Sequence, residues 1–307
     1  MQVKNHLRFF FMVIMLAGIQ AVFAQDNYKE TYLQLLRDGK YDELKTWLAK
    51  WEKAEPKNPE MFIGYFNYYA NRSKREQPTM GQMPNGMYGL YNAVSYDPSD
   101  IKKGISYLDK GLKFTPNRLD MYYGKIDSLF AIKDYESAGK ALYHLIGISP
   151  KYNETWLLGG NRPAPGGEMY FLQYIGGYFS EFFNIGTDDA LEQAKKCSEY
   201  EIKIYPNSTR GYNVLAIYYI MRGNIENALK HLQDAEKVDD TDCVILVNIG
   251  EAYVRLKNID KAQEYLNRVM KIGSDIEKRQ AQYYLNYIDG MNSTDSTDNV
   301  DSTVYER

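Results

Sequence analysis

The chain is predicted to be an all-α solenoid of helix–turn–helix repeats closed by a C-terminal helix, and three observations carry that prediction. Thr209–Asp242 and Cys243–Ile276 are adjacent, each 34 residues long, and match almost place for place. Both turn at the same point, Gly223-Asn224-Ile225 and Lys257-Asn258-Ile259, and place Ala228 and Ala262 three residues later and Leu232 and Leu266 four beyond those. A self-similarity of this period marks a stacked repeat rather than a closed globule. Second, apolar residues recur at i, i+4 and i+7, the spacing of one helix face. Third, prolines (Pro56, Pro116, Pro150, Pro206) close successive helical segments, where a missing amide and a fixed φ stop a helix.

Taken in order, residues 25–58 form the first unit. Tyr28, Tyr32 and Leu35 make one face, Gly39-Lys40-Tyr41-Asp42 the turn, and Leu44, Trp47, Leu48 and Trp51 the second helix's buried face. The second unit, 59–118, starts on Met61, Phe62, Tyr65 and Phe66 and resumes near Ser99 with Ile105 and Leu108. An insertion over 71–98, rich in Gly, Pro, Met and Tyr, separates the two and reads as a loop. Residues 119–152 are a regular unit, with Tyr122, Ile126 and Leu129 before the turn and Ala138, Leu142 and Leu145 after it. The unit over 153–208 carries a Gly/Pro insertion near 157–167, which delays its first helix to about Glu168–Asn184. Units 209–242 and 243–276 follow. A helix over 277–288, with Ala281, Tyr284, Leu285 and Ile288 on one face, covers the last unit. The polar stretch 289–307 is expected to be disordered.

Lys4 and Arg8 precede the apolar run Phe9–Gly18, and Ala21-Val22-Phe23-Ala24 ends in small residues before Gln25. That is the layout of a secretory signal peptide cut after Ala24. The expected location is periplasmic or secreted, soluble in the envelope of a Gram-negative bacterium. No later stretch has the length of a transmembrane helix. The formal charge of −3 becomes slightly more acidic without the leader, which leaves no basic footprint for nucleic acid. Cys197 and Cys243 fall on helices that are not direct neighbours, so free thiols and no disulfide are expected.

The 34-residue period, the glycine or asparagine turns and the paired Ala228/Ala262 resemble the tetratricopeptide repeat. Ala216 and Gly250 on first helices, facing Ala228 and Ala262 on second helices, fit its close helix crossing. The resemblance implies a right-handed superhelix, no enzymatic activity and no cofactor. It also implies a protein or peptide partner held on the concave face that first helices line. Carried into this register, the inward positions are Asn67, Tyr123, Asp127 and Phe130, then Tyr170 and Gln173 in the delayed repeat. In the regular repeats they are Arg210, Asn213, Ile217, Glu251 and Arg255. The basic constellation with which some relatives clamp a terminal carboxylate is absent, since Leu33 and Asp120 occupy two of its places.

The insertions are the expected specificity elements, with Met83, Met87, Tyr88 and Tyr91 in the first and Arg162 in the second. Chemistry is not expected. His144 and His231 have no matched ligand spacing for a metal, and Ser137-Ala138-Gly139-Lys140 lies inside a repeat helix without the companion motifs of a serine hydrolase. The 29 tyrosines mostly fall at helical spacing and read as packing. Those left exposed support the alternative function, a carbohydrate-binding accessory protein with a glycan partner. Asp295-Ser296-Thr297 and Asp301-Ser302-Thr303 resemble an O-glycosylation pattern of exported bacterial proteins, with Ser296 and Ser302 as acceptors.

Overall fold

The computed structural model describes residues 28–82 and 87–297. The expected leader, Met83, Ser302 and the tail from residue 298 lie outside the described residues, as does the side chain of Ser296. The architecture is an all-α solenoid of helical repeats, with a small antiparallel hairpin in each insertion. The chain divides into two compact units. One takes in residues up to Ala141 together with Tyr152–Tyr170; the other takes in Leu142–Lys151 and everything from Phe171 on.

In the first unit, α1 (28–37) turns at Gly39, whose φ of 67° is left-handed, into α2 (Tyr41–Ala54). Leu44, Leu48 and Trp51 are fully buried there, and the Tyr28 ring stacks on Trp51 at 6.0 Å. Asn58 caps α3 (Pro59–Ser73) by accepting from the Glu60 amide at 2.8 Å, with proline in the first turn, where no amide is needed. Asp97 caps α4 (Pro98–Leu112) in the same way. The two helices pack closely because Gly104 and Gly111 face Phe66 and Phe62; a Cβ at Gly111 would lie 3.0 Å from the Phe62 ring. Helix α5 (Leu119–Ala131) follows, and Asp134 caps α6 (Tyr135–Tyr152), whose Leu142–Lys151 stretch belongs to the other unit and which runs through Pro150 rather than ending there.

The insertion read as a loop over 71–98 is a hairpin. Helix α3 runs on to Ser73, and β1 (Lys74–Gln82) pairs antiparallel with β2 (Tyr88–Tyr96), from Lys74 opposite Tyr96 to Gln82 opposite Tyr88. The physical reason lies in the alternation of Tyr88, Leu90, Asn92 and Val94 along β2, the period of a strand. The second insertion is a strap rather than an irregular loop. Its strands β3 (Leu157–Leu158) and β4 (Arg162–Pro163) flank a short 3-10 turn at Gly159–Asn161. The strap docks through Leu157 N–H on the Asn117 carbonyl at 2.9 Å and through buried Trp156 against Tyr122.

In the second unit, α7 (Gly167–Ile185, here from Phe171) and α8 (Asp188–Ile204) lie close to the expected bounds of the delayed repeat. Helices α9 (Arg210–Met221) and α10 (Ile225–Val238), then α11 (Cys243–Arg255) and α12 (Ile259–Ile272), are the two self-similar stretches. Their turns are equivalent in detail. Gly223 and Lys257 are left-handed, and Asn224 and Asn258 cap the second helix of each pair. Asn248 donates to Asn213 at 2.7 Å, and Thr209 donates to Asp242 at 2.6 Å, so equivalent first helices are tied at two points. Cys197 and Cys243 are free and buried, and burial pushes the Cys197 thiol up to about 12.

The terminal helix α13 is longer than expected at both ends, Asp275–Thr297. Ala281 and Ile288 anchor it in the core of α11 and α12. The backbone continues past residue 288 because nothing there breaks it: Asp289–Thr297 holds no proline, and the helix satisfies its own amides.

Candidate functional site

Helices α11 and α13 each bury one stripe in the shared core and leave a second stripe facing the other helix. On α11 that stripe is Val244, Val247, Asn248, Glu251 and Arg255; on α13 it is Ile276, Arg279/Gln280, Tyr283/Tyr284 and Tyr287. Both run at i, i+3/4, i+7 and i+11, so each stripe stays on one side of its helix over three turns. Between them lie two adjoining cavities of about 560 and 490 Å³ that share Glu251, Tyr283 and Tyr284. Together they form one groove along the pair.

The groove has a fixed acidic floor and adaptable apolar walls. The Glu251 carboxylate accepts from Arg255 at 2.7 and 2.9 Å and also from the Tyr284 hydroxyl. Burial, and then this bond to Glu251, hold the Tyr284 hydroxyl well above its ordinary range, so it remains a donor at every physiological pH. Along the walls Ile276 is 63% and Tyr283 67% exposed, and Val244 and Tyr287 are about half exposed. Arg279 and Lys257 line the groove with Arg255, so cations outnumber the single carboxylate among its lining residues. Exposed aromatic rings beside cations over a preorganised floor are the elements of a peptide-binding surface. The groove holds no nucleophile–base pair, and no cluster of three His, Cys, Asp or Glu suited to a metal occurs among the described residues.

Of the inward positions expected from the sequence, Glu251 and Arg255 come together in this groove, and the rest are dispersed. Tyr123 is 6% exposed and packs in the first unit's core, because the α5 face that carries it also carries Ile126 and Leu119. Asn67 donates to the Tyr32 hydroxyl at 2.7 Å, and Phe130 lies against Tyr135. Asp127 and Gln173 are exposed, while Tyr170 and Ile217 are half-buried. Arg210 is bound internally: its guanidinium pairs with fully buried Glu201 at 2.6 Å and lies over the Phe179 ring. In the first insertion Met87 and Tyr88 are exposed and Tyr91 is half-buried; in the second, Arg162 is exposed and donates to the Gly159 carbonyl. Many tyrosines stack on each other rather than facing outward, as Tyr143 does on Tyr200 at 3.9 Å and Tyr65 on Tyr107 at 4.2 Å.

Val244, Ile276, Arg279, Tyr283 and Tyr287 were missed by the sequence reading. Their signal was available as a second stripe on the terminal segment, offset from the Ala281/Tyr284/Leu285/Ile288 face that marked it as a cover.

A sequence model of the family described as Tetratricopeptide repeat matches residues 245–273, the span of α11 and α12. The match marks one tetratricopeptide repeat within the chain. Such repeats serve in general as protein-interaction scaffolds that bind protein or peptide partners. Among solved structures, the chain resembles the C-terminal part of a tetratricopeptide-repeat protein from Cytophaga hutchinsonii, with 12% identity and a TM-score of 0.45 over 86% of this chain and 88% of that one. PilW, described as a widely conserved type IV pilus biogenesis factor, matches with 11% identity and a TM-score of 0.38 over 85% and 97%. YrrB, described as a tetratricopeptide-repeat protein with an unusual peptide-binding site, matches with 16% identity and a TM-score of 0.36 over 78% and 97%. No curated protein matches the chain significantly. None of the described helices of this repeat protein is long and apolar enough to cross a membrane.

Proposed function

We propose that this protein is an exported, non-enzymatic scaffold whose α11–α13 groove holds a short peptide segment of a partner protein. The carrying observation is the pair of adjoining cavities with exposed Val244, Ile276, Tyr283 and Tyr287 around a fixed Glu251–Arg255–Tyr284 floor. The apolar walls call for aliphatic or aromatic anchors in the partner. The excess of cations calls for an acidic residue beside them, placed to meet Arg279 or Lys257. Export is supported by the Lys4/Arg8 charge, the apolar run and the small residues ending at Ala24. Met87 and Tyr88 in the first insertion, and Arg162 in the second, offer further contacts outside the groove.

Selection of a displayed peptide library on the purified protein tests this reading. Enriched peptides are expected to combine apolar anchors with Asp or Glu. Tyr283→Ala, at an exposed position whose loss leaves the core intact, should weaken them roughly tenfold or more, about 1.4 kcal/mol or above. Equal affinity for the parent, Tyr283→Ala and Val244→Asp would remove the groove from the proposal.

A further inference from the structure

Strand β2 is an unprotected sheet edge. Between Tyr88 and Tyr96 it carries no charged residue and no proline, although a quarter of the whole chain is charged. Strand β1 carries Lys74, Arg75, Glu76 and Pro78, the devices that ordinarily block an edge from pairing. Each strand has only the other as a partner among the described residues, so the outer edge of β2 leaves its backbone groups available. One face of the hairpin is also apolar and open: Met80 and Leu90 sit opposite each other, Leu90 is 67% exposed and Tyr88 77% exposed, and Val94 lies on the same side.

The order of residues in β2 identifies what pairs with it. On the face that carries Asn92 the strand is symmetric in character, with Leu90 and Val94 two residues away and Tyr88 and Tyr96 four; the opposite face is not, since Tyr91 stands across from Ala93. We propose that two copies of this chain join through β2, antiparallel about a twofold axis at Asn92, to form a four-stranded sheet. In that register Leu90 of each copy lies opposite Val94 of the other, and Tyr88 lies opposite Tyr96. The aliphatic and aromatic pairs fall on one face, and like charges never meet. A twofold contact of this kind is closed, because each copy offers the same edge and is satisfied by one partner. The occupant is a second copy rather than an unrelated strand because the symmetry lies in the sequence of the edge itself. The inference stands apart from the α11–α13 groove.

Sedimentation velocity on protein purified from cells expressing the whole chain should show a dimer at micromolar concentration. Leu90→Lys with Val94→Lys sets lysines directly across the twofold axis and should weaken the dimer roughly tenfold or more. Leu90→Glu with Val94→Lys sets opposite charges across from each other in this register and should restore it. Both positions are exposed, so an unchanged far-UV circular dichroism spectrum is expected of each variant. Asn92→Cys places two thiols about 4.5–5.5 Å apart by Cα, within disulfide reach, and should cross-link under mild oxidation. Ser95→Cys should not, because its two copies lie roughly 20 Å apart along the strands. A monomer at all concentrations, a dimer indifferent to paired lysines, or cross-linking by Ser95→Cys as readily as by Asn92→Cys would each overturn the proposal.

Discussion

Arg210 and Glu201 show how burial alters what a charged residue can do. By its position on α9, Arg210 is a candidate contact for a partner; in the structure its guanidinium neutralises a carboxylate with no access to water. Burial pushes the Glu201 carboxyl up to about 7, and the attraction of Arg210 offsets only part of that. The folded state therefore holds a proton more tightly than the unfolded chain. The stability this contributes is complete below the ordinary value of 4.5 and is lost as pH rises through about 7. Arg210→Met should cost up to about 3–5 kcal/mol at pH 8, where Glu201 must either stay charged without its partner or take up a proton, and clearly less at pH 5, where it is already protonated. Urea midpoints at the two pH values measure both quantities; an equal loss at both would show that the pair is not what holds α8 to α9. Arg118 has a similar structural role in the first unit. Its fully buried guanidinium reaches Glu60, Asp120 and Asn161, and so ties the strap to α3 and α5. Burial alone would raise the Glu60 carboxyl, but the Gly160 amide, Arg118 and Lys29 together hold it below its ordinary value.

Within and between helices, the decisive feature is how closely two axes can approach, and glycine shows it. Gly250 on α11 faces α12 so tightly that a Cβ would lie 2.7 Å from Leu266, which is itself fully buried. Gly177 on α7 has nothing within 4 Å of the same atom. Alanine in a helix interior gains roughly 0.5–1 kcal/mol over glycine, and overpacking a filled core loses about 1–3 kcal/mol. Gly177→Ala should therefore stabilise the protein by about 0.5–1 kcal/mol and Gly250→Ala should destabilise it by up to about 2 kcal/mol, both read from chemical denaturation. A gain at both sites would mean that α11 and α12 can separate without loss. The helix elements were legible in the sequence because a 3.6-residue period needs only local information. The groove was half legible. Glu251 and Arg255 follow from the repeat register, but Tyr283 and Tyr287 gain their meaning only from the α11 face set opposite them. The β1–β2 hairpin carried its own local signal in the alternation of Tyr88, Leu90, Asn92 and Val94, which the Gly, Pro and Met content of the segment obscured.

At the scale of the molecule, the two compact units have separate cores, and the three tryptophans, Trp47, Trp51 and Trp156, all belong to the first. In a repeat array stability is the sum of local terms, so a lesion in one core is felt mainly there. Leu266→Ala, which empties a fully buried site in the second unit, should cost about 2–5 kcal/mol. It should shift the unfolding transition seen by far-UV circular dichroism while leaving the tryptophan-fluorescence midpoint in place. Equal shifts by both probes would show one cooperative unit.

The sequence by itself determined the helical class, the 34-residue period and the turns of the two regular repeats. All of these are set by residues within a few turns of one another. Only the tertiary structure decided that Tyr123 packs inward, that Arg210 is consumed by Glu201, and that the cover helix supplies half of a groove. Exposure and partnership belong to pairs of elements, and a helix cannot state which of its faces a distant neighbour will leave open.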